Sequence, residues 1–243
     1  MKKAFPVVIA LGVLSLVATT SAGASALAIP SSLPGFTPAQ VANLALANAR
    51  AKGSCSTESQ GKSTGYSFSE STNSTPAVAQ QFITFNSSSS GVERMVGGVV
   101  YAKLSASMIS LQFGVADPTY ANKWVAIPRT NHHFVTFSSG LLFSSMLSQV
   151  RPVGPLTQSP VGTLNGKQVI AIGGTANAQL GLSASAETLF VSAASPYLPV
   201  ELTASGRADG VPTTLVVTFS NWGRHFSYTA PTGAIPIAST TLP

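Results

Sequence analysis

Apolar positions follow two rhythms along this chain. Val41, Leu44 and Ala45 fall at helical spacing behind Thr37-Pro38-Ala39-Gln40. Thr37 is placed as an N-cap, Pro38 takes the first helical position, where no N–H is needed, and Gln40 completes a capping box. Gly53 ends that helix. From Tyr66 the rhythm changes to two, with Tyr66 and Phe68 alternating with serines. Ala77–Phe85 reads as a strand, and Asn86–Gly91, "NSSSSG", as a flexible turn. "VERMV" and "VVYAK" flank Gly97-Gly98, a two-residue hairpin signal. Between Ser105 and Asn122 the spacing of Met108, Leu111 and Val115 predicts a short helix, and Asp117-Pro118 caps a second. Lys123–Pro128 returns to strand.

The clearest helical stripe follows. Phe143, Met146, Leu147 and Val150 stand at i, i+3, i+4 and i+7 behind a cap at Ser138 or Ser139, and Arg151-Pro152 stops the helix. "VGPLTQSPVG" reads as a loop. Hairpins then resume: Asn165-Gly166 joins "VGTL" to "KQVIAIGG", Ser195-Pro196 separates "TLFVSA" from "LPVELTA", and Asp209-Gly210 precedes "TTLVVTFS". The closing stretch slips in phase. Leu215, Val217 and Phe219 are odd, Phe226 and Tyr228 even, with Trp222 and Gly223 between. A one-residue slip is what a β-bulge or tight turn produces. Ser220–Gly223 therefore reads as a structural corner fixed by the Trp222 ring, the rival reading being Trp222 as a ligand-stacking residue.

The order is helix, antiparallel strands, helices and further antiparallel strands, without a βαβ rhythm. That argues an α+β fold with one large antiparallel sheet and helices on one face. The helix followed by hairpins, "MVGGVVYAK", "YANKWVAIP", "SSGLLFSSMLSQVRPVGPL", "LNGKQVIAI", "PYLPVEL" and "VTFSNWGRHFSYTAP" occur in an order that resembles the LppX/LprG-type cell-envelope lipoproteins, which are similar in fold to the lipoprotein carrier LolA. The resemblance runs from about Thr37 to Pro231. It implies a strongly bent antiparallel sheet, a half-barrel, with helices over the concave face, and carriers or sensors of acyl-chain molecules held between the two layers. The chain departs from that family in carrying no lipid-attachment cysteine at the signal boundary.

Composition sharpens this picture. Of 243 residues 44% are hydrophobic, enough for a real core, and only 8% are charged, against about 25% in an average soluble domain. The polar surface must then consist of Ser, Thr, Asn, Gln and backbone. Met1-Lys2-Lys3, the apolar run Phe5–Ala18 and "SAGASALA" form the pattern of a secretory signal. Cleavage is expected after Ala26, with Ala24 or Ala28 as alternatives. The rival, a membrane anchor, has a run shorter than the ~20 residues a bilayer needs. The organisation is then a signal over 1–26, a Pro-rich lead-in over 27–36, a half-barrel domain over 37–231 and a tail over 232–243. The formal charge of +6 includes Lys2 and Lys3. The remaining cations form no run or stripe, which argues against nucleic acid and leaves only weak attraction to anionic head groups. Cys55 stands alone, so no intramolecular disulfide forms, and it reads as a partly buried small residue.

The chemistry is sparse. Asp117 precedes Pro and Asp209 precedes Gly, which are cap and turn roles. No Gly-x-Ser-x-Gly elbow occurs. His132 and His133 would face opposite sides of an extended segment, a bland surface pair, and no zinc spacing exists. A non-enzymatic, cofactor-free and preferably monomeric exported protein with an apolar cavity for a lipid-type molecule is the reading these features support. Phe143, Met146, Leu147 and Val150 are the expected helix wall, Leu215, Val217 and Phe219 the sheet wall, and Met108 and Leu111 a movable lid. The same residues also fit plain core packing. An envelope sensor docking on a membrane protein, or a structural envelope protein without a ligand, are the alternatives. The signal reading predicts a mature chain beginning near Leu27 in the soluble exported fraction. N-terminal sequencing and fractionation after a salt wash check this; retention on membranes with the first twenty residues intact contradicts it.

Overall fold

The structure, a computed structural model, describes residues 35–113 and 118–237. The signal segment, most of the lead-in, Val115 and Asp117 lie outside the described residues.

Helix α1 (Pro38–Lys52) begins as its sequence dictates. The Thr37 side chain accepts from the Gln40 N–H, Gln40 Oε1 accepts from the Thr37 N–H at 2.8 Å, and Gly53 closes the helix in the left-handed region. Six strands follow as a meander: β1 (Cys55–Ser63), β2 (Tyr66–Ser74), β3 (Ala79–Phe85), β4 (Ser89–Val96), β5 (Val99–Leu104) and, after α2 (Ala106–Phe113), β6 (Trp124–Pro128). Helices α3 (Phe134–Leu141) and α4 (Phe143–Gln149) lead to the second half: β7 (Val153–Gln158), β8 (Gly162–Leu164), β9 (Lys167–Thr175), β10 (Ser183–Ser192), β11 (Pro199–Ala208), β12 (Val211–Ser220) and the short β13 (Ile235–Pro236). Among the described residues these form one sheet in the order β13-β6-β5-β4-β3-β2-β1-β12-β11-β10-β9-β7, with β8 also on β9. All pairings are antiparallel except β13 with β6.

The sheet is curled and open, and its concave face carries the helices. Helix α1 packs on β7, β9, β10 and β11; α2 and α3 pack on β3, β4 and β5; α4 bridges α1 and α3. This is the α+β half-barrel the sequence implies. Period-two alternation lines inward residues up across the strands. One row runs Leu104, Gly91, Ile83, Glu70, Ser59, Val217, Leu202, Leu189, Ile172. Apolar residues fill both ends of it, whereas Glu70 and Ser59 stand in the middle.

Several local expectations are corrected. The stripe helix does not start at Ser138 or Ser139, which lie inside α3; the helix begins at Phe134 and breaks at Leu142, whose φ of −72° and ψ of 121° are extended. "VGPLTQ" is strand β7 rather than loop, because its backbone finds β9 as a partner. His132 and His133 do not face opposite ways. They sit in the turn before α3 with ring centroids 3.9 Å apart, and His133 lies edge-on to Phe113 at 4.8 Å. Cys55 is fully rather than partly buried.

Of the two causes the sequence allows for the phase slip, a bulge and a tight turn, the structure shows the turn. Strand β12 ends at Ser220, and Asn221 and Gly223 (φ of 52° and 78°) turn the chain out of the sheet. Residues 221–234 then cross the convex face. Asn221 Nδ2 donates to Ser56 Oγ, and Asn73 Nδ2 to the Tyr228 hydroxyl. The Arg94 guanidinium, over the rings of Trp124 and Tyr228, donates to the Thr229 carbonyl at 2.8 Å. The segment ends as β13 beside β6, with Ile237 buried. Trp222 is the corner piece: its ring stacks on Phe219 at 5.8 Å, and its indole N–H donates to the Pro199 carbonyl at 3.1 Å. Since Gly223 requires a left-handed φ of 78°, Gly223→Ala should lower stability by about 1–2 kcal/mol. Gly162→Ala, in open space, should change it by less than about 0.5 kcal/mol. Urea midpoints of the two variants check the contrast.

Candidate functional site

A cavity of about 40 Å³ lies between the middle of the sheet and the α3–α4 pair. That is room for about three waters, far below the roughly 300–1,000 Å³ of ligand pockets. Its sheet side is Thr57 and Ser59 of β1, Glu70 and Thr72 of β2, Gln81 of β3, Leu202 of β11, and Leu215 and Val217 of β12. Its helix side is Ser139 and Gly140 of α3, Met146 and Gln149 of α4, then Val150, with Leu180 from the β9–β10 connection. The polar lining is concentrated on β1–β3, and the apolar lining comes from β11 and β12 together with Met146, Val150 and Leu180.

The structure brings together four of the nine residues expected at the site: Met146, Val150, Leu215 and Val217 line the cavity. Phe143, Leu147, Phe219 and Met108 are buried in the continuous core away from it. Phe143 faces Trp222 at 6.5 Å between ring centroids. Leu111, on the outer side of α2, is 45% exposed.

Sequence reasoning passed over the polar wall. Phe68 faces inward, so period two also turns Glu70, Thr72 and Ser74 inward. The same rule places Gln81 between the inward Ala79 and Ile83, and Glu93 beside Met95. An acid in phase with the apolar residues of its strand was the available signal. Glu70 is 7% exposed, and Glu93 and Gln81 are 4% exposed. Glu93 pairs with Gln81, and Gln81 with Thr72, so the two acids flank Gln81 from adjacent inward rows. Among the described residues no ion pair or hydrogen bond reaches either carboxyl group, and no Lys, Arg or His lines the cavity.

Electrostatics follow from that burial. Loss of hydration pushes Glu70 up to about 7; loss of hydration, with the Glu70 charge added, pushes Glu93 up to about 8. Burial likewise raises Glu187 to about 7, opposed by the hydrogen bond its carboxylate accepts from the Asn177 N–H at 2.9 Å. The Cys55 thiol is pushed up to about 12 by burial, which makes it an inert packing group.

Helix-covered half-barrels with a mixed cavity beneath the helices are the class these features define, and this is the architecture that the LppX/LprG resemblance implies. No protein-family model matches the chain, and no curated protein matches it. Among solved structures it is similar to LprF from Mycobacterium bovis, at 13% identity and a TM-score of 0.46 over 81% of this chain and 97% of that one. It is also similar to a DUF1329 family protein from Desulfovibrio piger ATCC 29098, at 10% identity and a TM-score of 0.28 over 74% of this chain and 90% of that one.

The raised carboxyls carry a sign. In the folded protein Glu70 and Glu93 bind protons more tightly than their ordinary value of 4.5 allows. The stability they contribute is complete below pH ~4.5 and is lost as pH rises through about 7 and then 8. The unfolding free energy should therefore fall between pH 5 and 8.5, by several kcal/mol if both shifts are fully expressed. Glu70→Gln with Glu93→Gln should flatten the slope and leave a residue of the same sign from Glu187. An unchanged slope in the double variant contradicts the assignment.

Proposed function

We propose that the protein is an exported, non-enzymatic binding protein of the cell envelope that takes an acyl-chain molecule between α4 and the concave face of the sheet. The observation that supports this reading is the cavity between the middle of the sheet and the α3–α4 pair, where Met146 and Val150 face Leu202, Leu215 and Val217 as its apolar lining. The implied ligand class agrees with the motif order of the sequence. At about 40 Å³ the cavity represents a closed state, so entry of a chain requires α4 to move away from the sheet. The extended residue Leu142 divides α4 from α3 and supplies a hinge. Met146, Val150, Leu215 and Val217 are the assigned contacts, and Phe143, Leu147, Phe219 and Met108 support them from the core.

The same small volume favours a second reading, a structural envelope protein whose layers are filled by its own side chains. A fluorescent fatty-acid probe separates the two. On the binding reading the wild-type protein takes up the probe, and Met146→Trp, which fills the cavity, lowers affinity at least about tenfold while the circular dichroism spectrum is retained. No uptake by the wild-type protein, together with an organic extract free of co-purified lipid, supports the structural reading.

A further inference from the structure

We propose that the polar wall of the cavity is a receptor for a protonated amine, so that the preferred ligand is an amphiphile with an ammonium head and a hydrocarbon tail. This rests on the binding reading above and names the head group that the same cavity selects. Glu70 lines the cavity and Glu93 stands one strand beyond Gln81. Both carboxyl groups are buried, and among the described residues neither has a cation or hydrogen-bond donor as partner. Gln81 is a second, independent pointer. The residue is 4% exposed, and its amide borders the cavity beneath Gly140 and makes no hydrogen bond among the described residues. Buried polar groups are normally satisfied, so a set of acceptors left open around a void marks what the void receives.

The chemistry of the set selects the head group. Ionised carboxylates only accept, and an ammonium only donates, with three N–H groups. Thr57, Ser59 and the Gln81 amide oxygen are further acceptors on the same wall. An ammonium nitrogen is about the size of a water molecule and fits a cavity of about 40 Å³. Phosphate and carboxylate heads are disfavoured, because they would meet Glu70 without any Lys, Arg or His on the cavity wall. The apolar side formed by Met146, Val150 and Val217 then lies along the first carbons of the tail. An ammonium displaces the protons that the empty site retains, so amine affinity rises with pH as Glu70 and Glu93 ionise. No other titratable side chain lines the cavity from α3, α4 or the β9–β10 connection.

Displacement of a fluorescent fatty-alcohol probe, whose neutral head Glu70 does not repel, by dodecylamine, dodecanol and dodecanoate, at pH 6 and pH 8.5, tests the inference on the wild-type protein and on Glu70→Gln. The expected result is dodecylamine binding about 10- to 100-fold more tightly than dodecanol at pH 8.5, a smaller preference at pH 6, and loss of the preference in Glu70→Gln. Glu93→Gln, a second isosteric variant, should reduce the preference as well. Equal affinity for amine and alcohol in the wild-type protein, or a preference that survives both substitutions, overturns the amine receptor and leaves the acyl-chain reading standing. Failure of the probe and of all three amphiphiles to bind overturns both.

Discussion

The pairing of β1 with β12 is the constraint on which the rest of the structure depends. It aligns Ser56 with Ser220 and Ser63 with Thr213, joining residues more than a hundred and forty positions apart. Without it the meander β1–β6 and the strands β7–β12 are two smaller sheets, each with a bare edge. With it the sheet is continuous and long enough to curl around its helices. The pairing also explains the crossing segment. Strand β12 lies in the middle of the sheet, so a chain leaving its end finds no free edge nearby. It turns at Asn221 and Gly223 and crosses the convex face through Tyr228 and Arg94 until it reaches the exposed side of β6.

The character of β1 sets the character of the interior. Its inward residues are Cys55, Thr57, Ser59 and Gly61, all small. Small residues at the centre of a curled sheet leave space that large ones fill at its ends, where Leu104 and Ile83 on one side and Leu202, Leu189 and Ile172 on the other meet the helices. At the opposite limit, a Cβ on Gly91 would meet the end of the Leu104 side chain, which would have to shift to admit even an alanine. The cavity is thus a consequence of where polar strands fall in the order. Its acids follow from the same cause, because a central strand with inward polar positions can hold a carboxyl that a tightly packed apolar wall would reject.

The turns were the most legible part of the fold. Gly97-Gly98, Asn165-Gly166 and Asp209-Gly210 all adopt the positive φ angles that two-residue hairpins demand. Strand β1 was not legible, since "CSTESQGKS" has no apolar alternation; it becomes a strand because β2 and β12 both offer it a ladder. Strand β7 was hidden by Gly154 and Pro155 and exists only through β9. For the site, helical spacing located Met146 and Val150 but gave Phe143 and Leu147 the same status, although the break at Leu142 and the Trp222 ring draw Phe143 into the core. The acids were readable in principle. Glu70 shares the phase of Phe68, and Glu93 that of Met95. What concealed them was the expectation that a strand's charged residues face water.

Polar ties at both ends add to the core packing of Phe143 and Leu147 in holding α4 in place. At its start Ser74 Oγ donates to the Leu141 carbonyl at 2.6 Å, fastening the α3–α4 junction to β2. At its end Asn177 Nδ2 donates to the Ser148 carbonyl at 3.0 Å and Ser148 Oγ to Gln179 Oε1 at 2.8 Å. Asn177 is in turn held by its N–H to the Glu187 carboxylate. Each such bond contributes about 1 kcal/mol net, and lifting Phe143 and Leu147 from the core costs about 1.5–3 kcal/mol each, a sum that only a long acyl chain offsets, at ~0.8 kcal/mol per buried CH₂. On the proposed binding reading, a ligand of sufficient length displaces α4, while the apolar ends of the sheet, packed under α1 and α2, keep the fold intact.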